Sequence, residues 1–204
     1  MEKRDAKGLT EAEFLAQYRP KDYPRPSVTA DIIVFREADG GLEVLLIRRG
    51  NHPYLGKWAL PGGFAEPTES VDETALRELE EETHLKGIPL EPVGLFSTPG
   101  RDPRTWVMSE AYVAKISEDA SQVRAGDDAE DAAWFRLETQ CFQEKLILRF
   151  SSQKHGAFQA ILRSKTYLGI VGERTEYQME DAGELAFDHA RMLGYALKKI
   201  QRIS

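Results

Sequence analysis

One stretch constrains this chain more than any other: GFAEPTESVDETALRELEEETHL, running from Gly63 to Leu85. Ser70 and Glu73 stand at capping-box spacing, where each side chain satisfies the other residue's backbone amide. The spacing predicts a helix that begins after Ser70 and runs to about Thr83. At roughly 100° per residue, Glu78, Glu81 and Glu82 fall within about a third of its circumference. Leu76 and Leu79 lie on a different side and are expected to pack on a sheet. Carboxylates at i, i+3 and i+4 repel one another by roughly 0.2–0.5 kcal/mol per pair. Taken alone, such a face is ordinarily a solvated one. The alternative is a hard divalent cation, Mg²⁺ or Mn²⁺, which takes oxygen ligands and neutralises the cluster. A metal held this way can bind pyrophosphate oxygens and activate water.

The neighbours of the cluster favour the second reading. Arg77 adjoins it, and Glu69 lies eight residues earlier at the loop–helix junction, placed for an Arg–carboxylate fork that pins the loop to the helix. Gly62-Gly63 lets backbone come close to a ligand or metal.

On these residues the chain resembles the Nudix hydrolases, whose signature is G-x₅-E-x₇-R-E-U-x-E-E-x-G-U, with U aliphatic. Gly63, Glu69, Arg77, Glu78, Leu79, Glu81, Glu82 and Leu85 match it. With each residue type at roughly 5–7% usage, the six matches at fixed residue types at one start have a chance on the order of 10⁻⁸. His84 replaces the signature's last glycine, a left-handed cap position that His tolerates better than most side chains. The resemblance implies that Glu78, Glu81 and Glu82, with the Gly62 carbonyl, hold the metal, Mg²⁺ or Mn²⁺. It implies that Glu69 and Arg77 form a structural ion pair beside the catalytic Glu81 and Glu82. It also implies a general base in a separate acidic loop, for which Asp127-Asp128-Ala129-Glu130 is the candidate and Asp128 the chosen residue. The fold it implies is α/β: a mixed β-sheet sandwiched between α-helices.

The rest of the chain can be placed around that motif. Residues 1–27 read as an appendage. Thr10 and Glu13 form a second capping box, a short helix reaches about Tyr18, and Pro20, Pro24 and Pro26 then enforce an extended arm. Residues 28–204 read as the Nudix domain. Its first strand is expected over Ser27–Arg36, followed by a hairpin at Asp39-Gly40-Gly41 and a return over Leu42–Arg48. Further strands are expected near 91–97, 106–116 and 132–136. The segment 140–179 is expected to be an extra β-meander, with Cys141–Phe150, Gly156–Arg163 and Lys165–Gln178 as its candidate strands. Leu185–Ile203 has helical spacing.

Outside the signature the resemblance narrows to the branch holding ADP-ribose pyrophosphatases and NrtR-type regulators. It is carried by Gly56–Phe64, Gly100–Arg104, Ala125–Asp128 with Ala133–Phe135, and Leu185–His189. In the Gly-Arg-Asp-Pro-Arg loop, Arg101 and Arg104, with Asp102 between them, are candidates to bind phosphate or ribose oxygens; a plain turn is the other reading. Trp58 and Phe64 are either stacking surfaces for a base or sugar, or core. Capping or packing is the expected role of Asp188 and His189.

The resemblance implies hydrolysis of the pyrophosphate bond of a nucleoside diphosphate linked to another moiety, with ADP-ribose split to AMP and ribose 5-phosphate. The alternative is an ADP-ribose sensor of the NrtR kind, which needs a winged helix-turn-helix beyond the last helix. A net charge of −7 argues against nucleic acid as partner. No apolar run reaches the roughly 18 residues of a membrane span. The single cysteine, Cys141, excludes an internal disulfide and fits a reducing cytoplasm. The expected partners are a small nucleotide substrate and, from the resemblance and the arm, a second copy in a homodimer.

Overall fold

The run Ile32-Ile33-Val34-Phe35 is apolar at every position, and each of the four side chains is fully buried. A strand can bury consecutive residues only if both faces of its sheet are covered. In the computed structural model, which describes residues 2–117 and 129–201, this strand is β1 (Ser27–Ala38). Ile32 and Val34 point to one core with Ala75 and Leu79 of helix α2 (Val71–Thr83). Ile33 and Phe35 point to the other core, with Met192, Leu193 and Ala196 of helix α3 (His189–Ile200). The sheet therefore lies between two helices, as expected.

β1 turns back into β2 (Gly41–Arg49) through Asp39-Gly40, both at positive φ, the geometry of a tight hairpin turn. Two short strands follow, β3 (Trp58–Ala59) on β2 and β4 (Gly62–Phe64) on β1. Beyond α2 come β5 (Glu91–Phe96), β6 (Val107–Ile116), β7 (Ala129–Phe142), β8 (Lys145–Ser152), β9 (Gly156–Gly169) and β10 (Gly172–Asp181). Their order across the sheet is β10-β9-β8-β7-β2-β1-β6-β5, with β1 and β6 parallel and the neighbouring pairs antiparallel. Among the described residues, no helix is long and apolar enough to cross a membrane. The helix in the N-terminal segment, α1 (Glu11–Gln17), has its Thr10–Glu13 capping box and buries none of its own residues.

Three sequence expectations need correction. Cys141–Phe150 is not one strand: β7 runs on through Phe142, and a turn with Gln143 at positive φ separates it from β8. The candidate strand Lys165–Gln178 is likewise broken, because Ile170-Val171 is the fully exposed tip of the β9–β10 hairpin. Leu76 stands 46% exposed, whereas Ala75 and Leu79, one turn apart, face the sheet. A helix of this width presents only a narrow stripe to a flat layer, and Leu76 falls outside it.

Candidate active site

The loop between β3 and α2 is held by side chains that the signature supplies. Ser70 caps α2 and closes its box with Glu73, and His84 ends the helix in the left-handed conformation at φ 63. Arg77 forks onto Glu69 at 3.0 and 2.7 Å and donates to the Phe64 carbonyl at 3.1 Å. That fork holds the Glu69 carboxyl down at about 2, where it stays ionised. Gly62 and Gly63 both sit where a side chain has no room. A Cβ on Gly62, whose φ is +154, would lie 2.2 Å from the Ala30 carbonyl oxygen, and one on Gly63 would lie 2.3 Å from a carboxylate oxygen of Glu78. Gly62→Ala is therefore expected to lift β4 from β1, costing about 1–3 kcal/mol in unfolding free energy and most of the activity. Denaturant melts paired with turnover check this; an unchanged melt would mean the β1–β4 contact is slack.

Above this loop is a cavity of about 540 Å³ lined by Asp31, Arg49, Gly62, Phe64, Glu78, Glu82, Arg101, Asp102, Arg104, Phe187 and His189, among others. Glu82 enters it half-buried and accepts from the Gly62 N–H at 2.7 Å. Burial first, against the pull of that amide, and then the charges of Glu78 and Asp31 push its carboxyl up to about 8. Burial also raises Glu78, against the nearby Arg77. Glu81 behaves differently. Arg77 bridges it at 3.0 Å and Glu78 at 2.8 Å, and the Glu81 side chain is 58% exposed. The expected triad is thus only partly assembled: among the described residues, no three carboxylate, His or Cys groups already converge at metal-holding distance. The reason is that the Arg77 guanidinium competes for Glu78 and Glu81. The donor set is nonetheless all oxygen, with Glu82 half-buried beside Glu78 at the cavity wall, which fits a hard divalent cation.

The arginine loop is mostly spoken for. Arg101 is buried and forks onto Asp188 at 2.7 and 3.1 Å, with Asp31 at 3.7 Å. Arg104 forks onto buried Asp102 at 2.7 and 3.1 Å, while Asp102 also accepts from the Arg104 N–H at 2.9 Å. Arg101 is therefore a strut, and the expectation that it offers free donors to a ligand is corrected. Arg104, 41% exposed at its side chain, lies 5.1 and 5.8 Å from the Phe64 and Phe187 ring centres. Phe64 is exposed at the cavity, but Trp58 is core, edge-on to Phe135 at 4.7 Å. Asp127 and Asp128 lie outside the described residues.

Two residues of the cavity had no part in the sequence-based site. Arg49 ends β2, gives its Nε to the Pro53 carbonyl at 2.8 Å and sits over the Phe187 ring; among the described residues it has no carboxylate partner. Burial and the nearby Arg104 push its guanidinium below its usual range. Asp31 is a buried acid in the middle of an apolar strand; it accepts from Ser109 and faces His189 Nε2 at 3.4 Å. Its signal was present: a lone charge between Ala30 and Ile32 is costly to bury without partners.

Comparison with known proteins agrees with this geometry. The family model described as NUDIX domain matches residues 25–150. The chain is 37% identical over 158 residues to the ADP-ribose pyrophosphatase of Methanocaldococcus jannaschii, covering 76% of this chain and 89% of that protein. It is 39% identical over 131 residues to the ADPR responsive transcriptional repressor NtrR of Acinetobacter baylyi, covering 63% of this chain but only 52% of the repressor. The crystal structure of a MutT/nudix family protein from Enterococcus faecalis superposes with a TM-score of 0.74 at 33% identity, covering 95% of this chain and 70% of that one.

Proposed function

The chain belongs to the Nudix family, and from that membership we propose that it hydrolyses the pyrophosphate bond of a nucleoside diphosphate linked to another group, with ADP-ribose split into AMP and ribose 5-phosphate. The observation that carries this reading is one cavity that holds the half-buried acids Glu78 and Glu82 together with Arg49, a guanidinium without a carboxylate partner among the described residues. The M. jannaschii relative supports ADP-ribose as the substrate.

Glu78, Glu82, Glu81 and the Gly62 carbonyl would hold a divalent ion, Mg²⁺ in this reading, which supplies positive charge to the diphosphate and activates water. The remaining work falls to the chain. Arg77 fixes the helix to its loop through Glu69 and the Phe64 carbonyl, which keeps the helix face that carries Glu78 and Glu82 turned to the cavity. Arg49 meets the phosphate charge, and the Arg104 guanidinium, over the rings of Phe64 and Phe187, borders the rest of the substrate. Asp128 stays the candidate base.

Arg49→Ala is expected to lower kcat/KM for ADP-ribose by about 10–100-fold, chiefly through KM, the loss of one charge-assisted contact. Arg104→Ala should cost less, because Asp102 already occupies its fork. The test runs wild type and both variants on ADP-ribose, NADH, diadenosine polyphosphates and a UDP-sugar. A tenfold preference for another compound would overturn the substrate, and an unaffected Arg49→Ala would remove the role given to that residue. The repressor likeness favours a second reading, in which the same cavity binds ADP-ribose without cleaving it; tight binding with no turnover would select it.

A further inference from the structure

The segment leading into α3 is zipped to β3. The Trp58 N–H donates to the Glu184 carbonyl at 2.9 Å, and the Ala186 N–H donates to the Trp58 carbonyl at 2.8 Å. The next rung has no backbone partner, because the chain turns away at Phe187, a bulky residue at φ 50. The rung is completed by a side chain: the Leu60 N–H donates to Nδ1 of His189, the first residue of α3, at 2.9 Å. Leu60 and His189 are both buried, so this amide has no solvent to fall back on. Nδ1 can accept only if it carries no proton, which puts the ring's proton on Nε2, the atom that faces Asp31. Asp31 in turn pairs across the sheet with Gly62, and the Ile32 N–H next to it donates to the Pro61 carbonyl at 2.8 Å. One imidazole thus grips Leu60-Pro61-Gly62 from both ends: directly at Leu60, and through Asp31 at Gly62.

We propose that His189 is a positioning residue that sets the Gly62 backbone, and with it Glu82, for the divalent ion. This rests on the reading of Glu82 and Gly62 as metal-holding groups; His189 itself touches neither.

Two substitutions separate its bonds. In His189→Asn the side-chain oxygen takes the place of Nδ1 and can accept from Leu60. In His189→Gln the amide nitrogen takes the place of Nε2 and can reach Asp31, but nothing accepts from Leu60. Mn²⁺ affinity is measured by calorimetry on the full chain, and exchange of the Leu60 amide by NMR. His189→Gln is expected to weaken Mn²⁺ by about 10–100-fold, as loss of a group that orients a metal ligand does, and to expose the Leu60 amide. His189→Asn keeps the Leu60 rung but gives up the approach to Asp31, so it is expected to leave the Leu60 amide protected and to weaken Mn²⁺ less than His189→Gln does. Equal Mn²⁺ affinity and a protected amide in His189→Gln would overturn the proposal. If neither variant folds, the wild-type imidazole decides: its ¹⁵N shifts should show the proton on Nε2, and a proton on Nδ1 would overturn it. Wild type that binds no Mn²⁺ would instead sink the proposed function, a result distinct from a wild type that binds it beside an unaffected His189→Gln.

Discussion

Glu82→Gln should fold as well as wild type and lose about 10²–10³ in kcat, the usual scale for one electrostatic contact at a reacting centre. The Gln oxygen can still accept from the Gly62 N–H, so the backbone loses nothing. What disappears is the negative charge. That charge also gives the prediction a pH signature. Burial raises the Glu82 carboxyl to about 8 in the folded chain, while the unfolded chain titrates it near the ordinary Glu value of about 4.3. Between those values the folded state binds more protons than the unfolded one, so Glu82 makes the metal-free protein progressively less stable as pH rises from about 4.3 to about 8. The Gln variant should lack this fall and be at least as stable as wild type at pH 8. Metal binding has the opposite slope, since it needs the carboxylate, and should tighten over the same window with release of a proton. Near wild-type turnover of Glu82→Gln at saturating Mg²⁺ would remove Glu82 from the chemistry.

Asp188→Ala is expected to be the most destabilising exchange near the cavity. Arg101 is 4% exposed at its side chain, and Asp188 supplies its fork at 2.7 Å. Removing one partner of a buried ion pair costs about 3–5 kcal/mol, because the other charge stays buried. For a domain of this size that lowers Tm on the order of 10 °C. Calorimetry and a denaturant melt measure it. A variant with normal Tm but a raised KM would instead return Arg101 to the ligand-binding role suggested by its sequence.

The legibility of this chain tracked how local each feature is. Helix α2, its capping box, the Glu69–Arg77 fork and the left-handed cap at His84 are set by neighbours within about one helical turn or one loop; the spacing disclosed the first three, and the family resemblance the last. The two-sided burial of β1 was visible in its unbroken apolar run. Roles settled by distant partners were not visible. Nothing beside Arg101 announces that Asp188, 87 residues on, will take its donors. The arginine that keeps no carboxylate among the described residues, Arg49, looks in sequence like any charge at a strand end. The glutamate helix was legible as a cluster but not as a geometry, because Arg77 can draw Glu81 outward as readily as it pins Glu69. Trp58 was open between ligand and core, and Phe135 and His155 settle it as core.

The rung between Leu60 and His189 joins residues 129 positions apart. Synthesis delivers the glutamate helix early and its last brace late. During translation the chain can present α2 and its loop long before the 184–189 segment has emerged, and contacts of such long range are the slow ones to close. Metal competence should therefore mature late in biogenesis. A ribosome-stalled chain ending before residue 184 would carry the whole signature and bind the divalent ion at least about 10–100-fold more weakly than the full chain.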